Sequence, residues 1–144
     1  MKEFIDKITK LHHYLQDEVK DDIGMLAVEH AKGSFQNEGF SDKSKNDNRW
    51  KEVGRRQGSG DGAAAKRKIL TGETGDLGRS PDYKKTAQGV EIISDKEYAQ
   101  VHNEGGTSGR KSAPFKMPAR PFIKQSDLLN AKIIAKIEKR FKDL

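Results

Sequence analysis

No cysteine occurs in the 144 residues. Disulfides, thiolate metal sites and cysteine nucleophiles are therefore excluded, and the lack of bridges is what an intracellular product shows. No run approaches the roughly 18 consecutive apolar residues that read as a membrane-spanning helix, and the opening MKEFIDKITKLHHYL mixes acids and lysines into its apolar positions. Neither a signal peptide nor a membrane span is expected. Apolar residues are themselves scarce, 33% against 35% charged, with a mean hydropathy of −0.91. A chain of this length folding throughout would bury roughly 68–70% of its unfolded surface. The composition instead predicts one domain with a small core and sizeable loops or arms.

Charge is plentiful and unevenly placed. The net charge is +6 and the pI about 9.4, which favours a nucleic-acid or acidic-protein partner without bearing on fold. Residues 1–40 carry 5 Lys/Arg and 8 Asp/Glu, residues 41–90 carry 12 and 7, and residues 91–144 carry 11 and 7. An acidic opening and a basic remainder suit head-to-tail assembly as well as they suit DNA.

Residues 1–36 read as helical. Phe4, Ile8, Leu11, Leu15, Val19 and Ile23 recur at steps of three and four, and Ala27, Ala31 and Phe35 continue that face. Gly24 and Gly33 leave open whether this is one helix or two. Residues 37–68 are polar, with Phe40, Trp50 and Val53 as their only anchors and linker composition in GSGDG at 58–62. They predict a mobile surface excursion pinned by Trp50. Its Arg55, Arg56, Lys66, Arg67 and Lys68 read either as phosphate contacts or as a solvated loop.

Residues 69–106 form the sheet region. Val90, Ile92 and Ile93 read as a half-buried strand, Gln88-Gly89 as the hairpin turn back from Tyr83, and Tyr98, Ala99 and Val101 as a short strand or helical turn. Residues 107–117 read as a flexible loop carrying an exposed Arg110 and Lys111. Residues 118–125 are a strap: Pro118 and Pro121 fix φ and bias Met117 and Arg120 toward extended backbone. From 126 to 144, Ser126 is a predicted N-cap, and Leu129, Ile133, Ile137 and Phe141 repeat at i+4 between lysines. The order helix, strands, helix predicts an α+β domain, with an N-terminal helix and a C-terminal amphipathic helix packed on one face of a small antiparallel sheet with long loops.

Reactive constellations do not emerge. GETGDLGRS lacks the glycine five residues before Gly78 that a Walker A loop needs, and no Gly-x-Gly-x-x-Gly spacing occurs. His12 and His13 are adjacent, so on a helix they diverge by about 100°, and no His-x-x-x-His pair exists. No metal, cofactor or catalytic residue is assigned. His102 with Glu104 could be drawn as an acid/base pair but lacks a visible nucleophile. It reads instead as a histidine hydrogen-bonded beside a glycine turn. PDYKK and APFK are the only basic–aromatic clusters, so nucleic-acid contact would be nonspecific and electrostatic.

RKILTGETGDLGRS, YAQVHNEGG and MPARPFI, in that order and spacing, resemble the phage virion morphogenesis family, the tail-completion proteins of Mu-like and related contractile-tailed phages. The matching residues are Ile69, Leu70, Thr74, Gly75, Leu77, Ser80, Tyr98, Ala99, His102, Gly105, Pro118, Ala119, Arg120, Pro121 and Phe122. The resemblance covers residues 66–125, with the helix leading to Trp50 fitting more loosely. The GSGDG stretch does not align, and Pro81 directly after Ser80 suggests an edge strand or a late strand start. The resemblance implies a non-enzymatic α+β subunit that assembles as a hexamer-like homo-oligomeric ring at the tail or neck, beside other tail or neck proteins, in the host cytoplasm and then in the virion. Under it, the strap is expected to fix the approach of the last helix, with Phe122 buried and Arg120 paired to a carboxylate of the same or next subunit. Arg110 and Lys111 are expected at the ring lumen or a partner face, touching passing DNA or an acidic ring. A nonspecific nucleic-acid-binding module is the alternative.

Overall fold

The computed structural model describes every residue except 59 and 61, so the GSGDG stretch lies partly outside the described residues. Residues 2–37 form one continuous helical rod in three parts: α1 (Lys2–His13), a π-helical turn (Tyr14–Glu18) and α2 (Val19–Asn37). The glycines do not divide it. At Gly24 the missing side chain makes room for the Tyr83 ring, which an added Cβ would strike.

The predicted apolar face holds only in its second half. Ala27, Ala31 and Phe35 are buried, whereas no residue of α1 is, and Phe4 is 63% exposed. The π turn supplies part of the reason. Its wider i→i+5 winding shifts the phase of the helix, so Tyr14 turns inward at 2% exposure and Leu15 is left 49% exposed.

The rod ends at Glu38 in the left-handed conformation (φ 52°), and short elements follow where a mobile excursion was expected. These are β1 (Gly39–Phe40), β2 (Asn48–Arg49), a 3-10 turn (Gly54–Arg56) and α3 (Ala63–Lys66). The chain continues through α4 (Asp76–Arg79), β3 (Asp82–Lys85), β4 (Val90–Ile93) and α5 (Ala99–Glu104). It closes with β5 (Gly106–Arg110), β6 (Ala113–Met117) and α6 (Asp127–Asp143).

The α+β class holds, but the strands form three separate antiparallel pairs, β1–β2, β3–β4 and β5–β6, in place of one sheet. The β3–β4 hairpin closes as the sequence predicts, Thr86 N–H donating to Gly89 O at 2.9 Å, and β3 begins directly after Pro81, which lacks the N–H a ladder needs. The 107–117 segment is a hairpin and not a flexible loop. Its glycines mask a two-residue Lys111-Ser112 turn flanked by a full register from Gly106↔Met117 to Arg110↔Ala113.

The core is built where the strap passes the rod: Phe35, Trp50, Ile69, Leu77, Ala99 and Phe122, with Val53, Leu70 and Ile123 at its margin. Phe35 packs edge-on against Trp50 at 5.4 Å between centroids and against Phe122 at 4.9 Å. Burying each such ring contributes about 1.5–3 kcal/mol, so six residues make a modest core. Polar clasps supplement it. Ser126 caps α6 as expected, accepting from Leu129 N–H at 3.1 Å, and also donates to Ser41 O at 2.7 Å. Asp22 accepts from Tyr14 Oη at 2.8 Å and from Arg140 Nε at 3.0 Å, tying α6 back to the rod. Burial, with the Asp22 bond second, pushes the Tyr14 hydroxyl up to about 12.

Candidate functional site

Family-motif residues from three separate stretches meet at the strap. Pro118 and Pro121 keep 118–122 extended, so backbone groups that would pair within a helix are offered sideways. Arg120 N–H donates to His102 O at 2.8 Å, and Pro121 O accepts from Trp50 Nε1 at 2.8 Å. Asn103 completes the junction. Its Oδ1 accepts from Phe122 N–H at 2.8 Å and Ile123 N–H at 2.9 Å, while its Nδ2 donates to Ile123 O at 2.9 Å. Asn103 lies within the YAQVHNEGG stretch. A lone asparagine beside a glycine turn looks like turn chemistry, and only the fold shows it holding a strap. Gly105 (φ 77°) is needed there because a Cβ would sit 2.9 Å from Ala119 N.

The other motif residues are structural. Leu77 and Ala99 are in the core. Ser80 Oγ donates to Leu77 O at 2.7 Å and shares a 2.6 Å bond with Ser94. Thr74 Oγ1 accepts from Asp76 N–H at 3.3 Å, and Gly75 (φ 70°) turns the chain into α4. Phe122, expected to be buried, is 1% exposed and anchors the strap in the core.

Of the two partners expected for Arg120, a carboxylate of the same or of the next subunit, the first is not found. Arg120 is 6% exposed, and no carboxylate of the described chain pairs with it. Its Nε donates to Lys51 O at 2.9 Å and its Nη2 to Glu52 O at 3.3 Å. The nearby acids are already engaged. Arg56 grips Glu38 through Nη1 at 2.9 Å and Nη2 at 2.7 Å, and grips Glu52 through Nε at 2.8 Å. That hydrogen bond and the Val53 N–H hold the Glu52 carboxyl down at about 2. Part of the basic run around 55–68 is engaged within the chain, although Arg55, Lys66 and Lys68 remain exposed. Arg55 donates to the carbonyls of Ala64, Arg67 and Lys68, and Lys68 Nζ to Gln36 O.

Beside Arg120 lies a cavity of about 400 Å³ lined also by His102, Tyr98, Arg55, Thr71, Thr74 and Asp76. His102 Nδ1 is buried there without a hydrogen-bond partner, correcting the expectation of a bonded histidine. Burial, and then the charge of Arg120, push the His102 pKa down. Arg110 and Lys111 are not among the lining residues. They sit exposed at the β5–β6 turn. Among the described residues no cluster of three or more His, Asp or Glu could hold a metal, and no helix is long and apolar enough to cross a membrane.

Motif residues of a helix-clasped α+β chain thus converge on one proline strap. The chain belongs to the phage virion morphogenesis family, whose sequence model matches residues 14–142. The match extends well beyond the 66–125 stretch that carried the resemblance: it begins at Tyr14, taking in the π turn, α2 and nearly all of α6 but not α1. Its role is therefore in building the phage particle. No curated protein and no solved structure gives a significant match to it.

Proposed function

We propose that this chain is a non-enzymatic subunit that completes the tail or the head–tail neck of a phage or prophage particle by forming a ring of identical copies, hexamer-like in number. It docks there to other tail or neck proteins, assembling in the host cytoplasm and remaining in the virion. The observation that carries this reading is that a member of a virion morphogenesis family holds α1 and the β5–β6 hairpin with almost nothing buried; α6 also has no buried residue, but it packs along α2. No α1 residue is buried, and a helix of that length is marginal in water without a packing partner. The β5–β6 hairpin is exposed over most of its length, Phe115 at 52%, and an isolated two-stranded hairpin is marginal for the same reason. Both are suited to surfaces that other subunits cover, and Arg110 and Lys111 at the hairpin turn are suited to an acidic neighbour or to passing DNA.

Electron microscopy of lysates from a phage or induced prophage with this gene interrupted tests the proposal. Filled heads beside unjoined tails, cured by supplying the protein, are expected. Intact virions in normal number would overturn it. The cationic hairpin also supports the second reading, a nonspecific nucleic-acid module. That reading requires retention on duplex DNA that falls steeply with salt.

A further inference from the structure

Arg120 carries a permanent charge in a place almost closed to water. A guanidinium has N–H donors on Nε, Nη1 and Nη2. Here Nε and Nη2 each reach one backbone carbonyl, so both Nη1 hydrogens and the second Nη2 hydrogen have no acceptor among the described residues. That is the edge with which arginine takes a carboxylate bidentately. Glu52 cannot supply it, since Arg56 holds both of its oxygens. Asp76, on the cavity wall, is held by Arg79 Nη2 at 2.6 Å. His102, which also lines the cavity, has a buried Nδ1 without a partner. Leu70, which lines the same space, holds a left-handed φ of 62° that a leucine adopts only under constraint.

We propose that this cavity is a carboxylate-receiving site, filled on assembly by an aspartate or glutamate side chain of a second copy of this chain. The idea rests on the ring-subunit reading above. Depth favours a carboxylate on a side chain over a nucleic-acid phosphate, because a duplex backbone cannot follow a guanidinium that is 94% covered or more, whereas one side chain enters such a space (Arg120 is 6% exposed). Charge favours a second copy. Residues 1–40 carry net −3 while the remainder is basic, and Glu3, Asp6 and Glu18 stand exposed on the rod, so a head-to-tail contact brings acid to the Arg120 face.

The first test needs no variant. The wild-type protein is titrated with sodium acetate and, at matched ionic strength, with sodium chloride, while the Arg120 Nε–H and His102 ring resonances are followed by NMR. Saturable shifts with acetate alone are expected, weakened roughly tenfold in Arg120→Lys, which keeps the charge but loses the fork. Equal responses to the two salts would overturn the site. The second test is sedimentation velocity on wild type and on Thr71→Glu, which places a carboxylate in the cavity from within the chain. Concentration-dependent association that acetate and Thr71→Glu both suppress is expected, with no loss of Tm in the variant. Wild-type protein that stays monomeric, or association indifferent to both, would overturn the second copy as the source. Normal virion yield from a Thr71→Glu phage would likewise sink this inference while leaving the ring reading intact. Intact virions from the interrupted gene sink the ring reading itself.

Discussion

At the scale of single residues, two glycines in α2 make opposite predictions from one helix-propensity argument. Alanine is favoured over glycine inside a helix by about 1 kcal/mol. Gly33 faces open space, so Gly33→Ala should raise Tm by something close to that gain. Gly24 faces the Tyr83 ring, whose phenol donates to Asp21 at 2.8 Å and so cannot swing away freely. Overpacking of that kind costs about 1–3 kcal/mol, and Gly24→Ala should lower Tm. Thermal melts of the pair check it, and equal effects would remove the claim that Gly24 exists to seat Tyr83. The Arg56 clamp makes a pH prediction. The Glu52 carboxyl is held at about 2, below its usual 4.5, chiefly by the Arg56 hydrogen bond. A carboxyl depressed in the folded state contributes stability that is complete above its unfolded value and lost as pH falls toward the folded one. Tm of the wild type should therefore fall between about pH 4.5 and pH 2, and Glu52→Gln should show a lower Tm at neutral pH and a flatter decline. Parallel curves for the two proteins would assign the acid sensitivity to other carboxylates.

At the scale of elements, legibility followed periodicity. The α6 stripe, the Ser126 cap and the β3–β4 turn could be read because each is a local pattern with a local cause. The split of the rod's apolar face could not, since a π turn leaves no mark in the spacing of Phe4, Ile8, Leu11 and Leu15 that distinguishes it from continuous α-helix. The hairpin at 106–117 was hidden for the opposite reason. Three glycines and two prolines in GGTSGRKSAPFKMP outweigh strand propensity, and it is the pairing of Ser108 with Phe115 and its neighbours that orders them. Within the site, the strap was legible from its prolines. Asn103 and the Glu38 arm of the Arg56 clamp were not, because their partners are 18 to 20 residues away in sequence. The hairpin turn supplies the prediction at this scale. Arg110 and Lys111 make no core contact, so Arg110→Ser with Lys111→Ser should leave Tm within about 0.5 kcal/mol of wild type, as surface changes do, and should cut virion yield in complementation. Full infectivity at unchanged Tm would deny the hairpin turn any role in assembly.

At the scale of the whole molecule, helix packing and polar clasps separate a held body from two held-out parts. The body has rings packed around the strap, the Asp22 clasp and the Ser126 cap, which fasten α6, the strap and α2 to one another. Against it, α1 extends past Tyr14 with an apolar stripe facing water, and β5–β6 stands beyond the Gly105 turn. Amide exchange follows local opening, which is cheap where few apolar contacts must be broken. In the free protein, amides of 19–37 and 127–143 should therefore exchange orders of magnitude more slowly than those of 2–13 and 106–117, even though all four segments are hydrogen-bonded. In purified virions, the two held-out segments should become protected while the body changes little, because it is their surface that neighbouring subunits cover. Hydrogen–deuterium exchange with mass spectrometry on both states reads the difference directly. Slow exchange of α1 in the free protein would mean that it finds cover without assembly, and unchanged fast exchange in virions would mean that the exposed stripe is not an assembly surface.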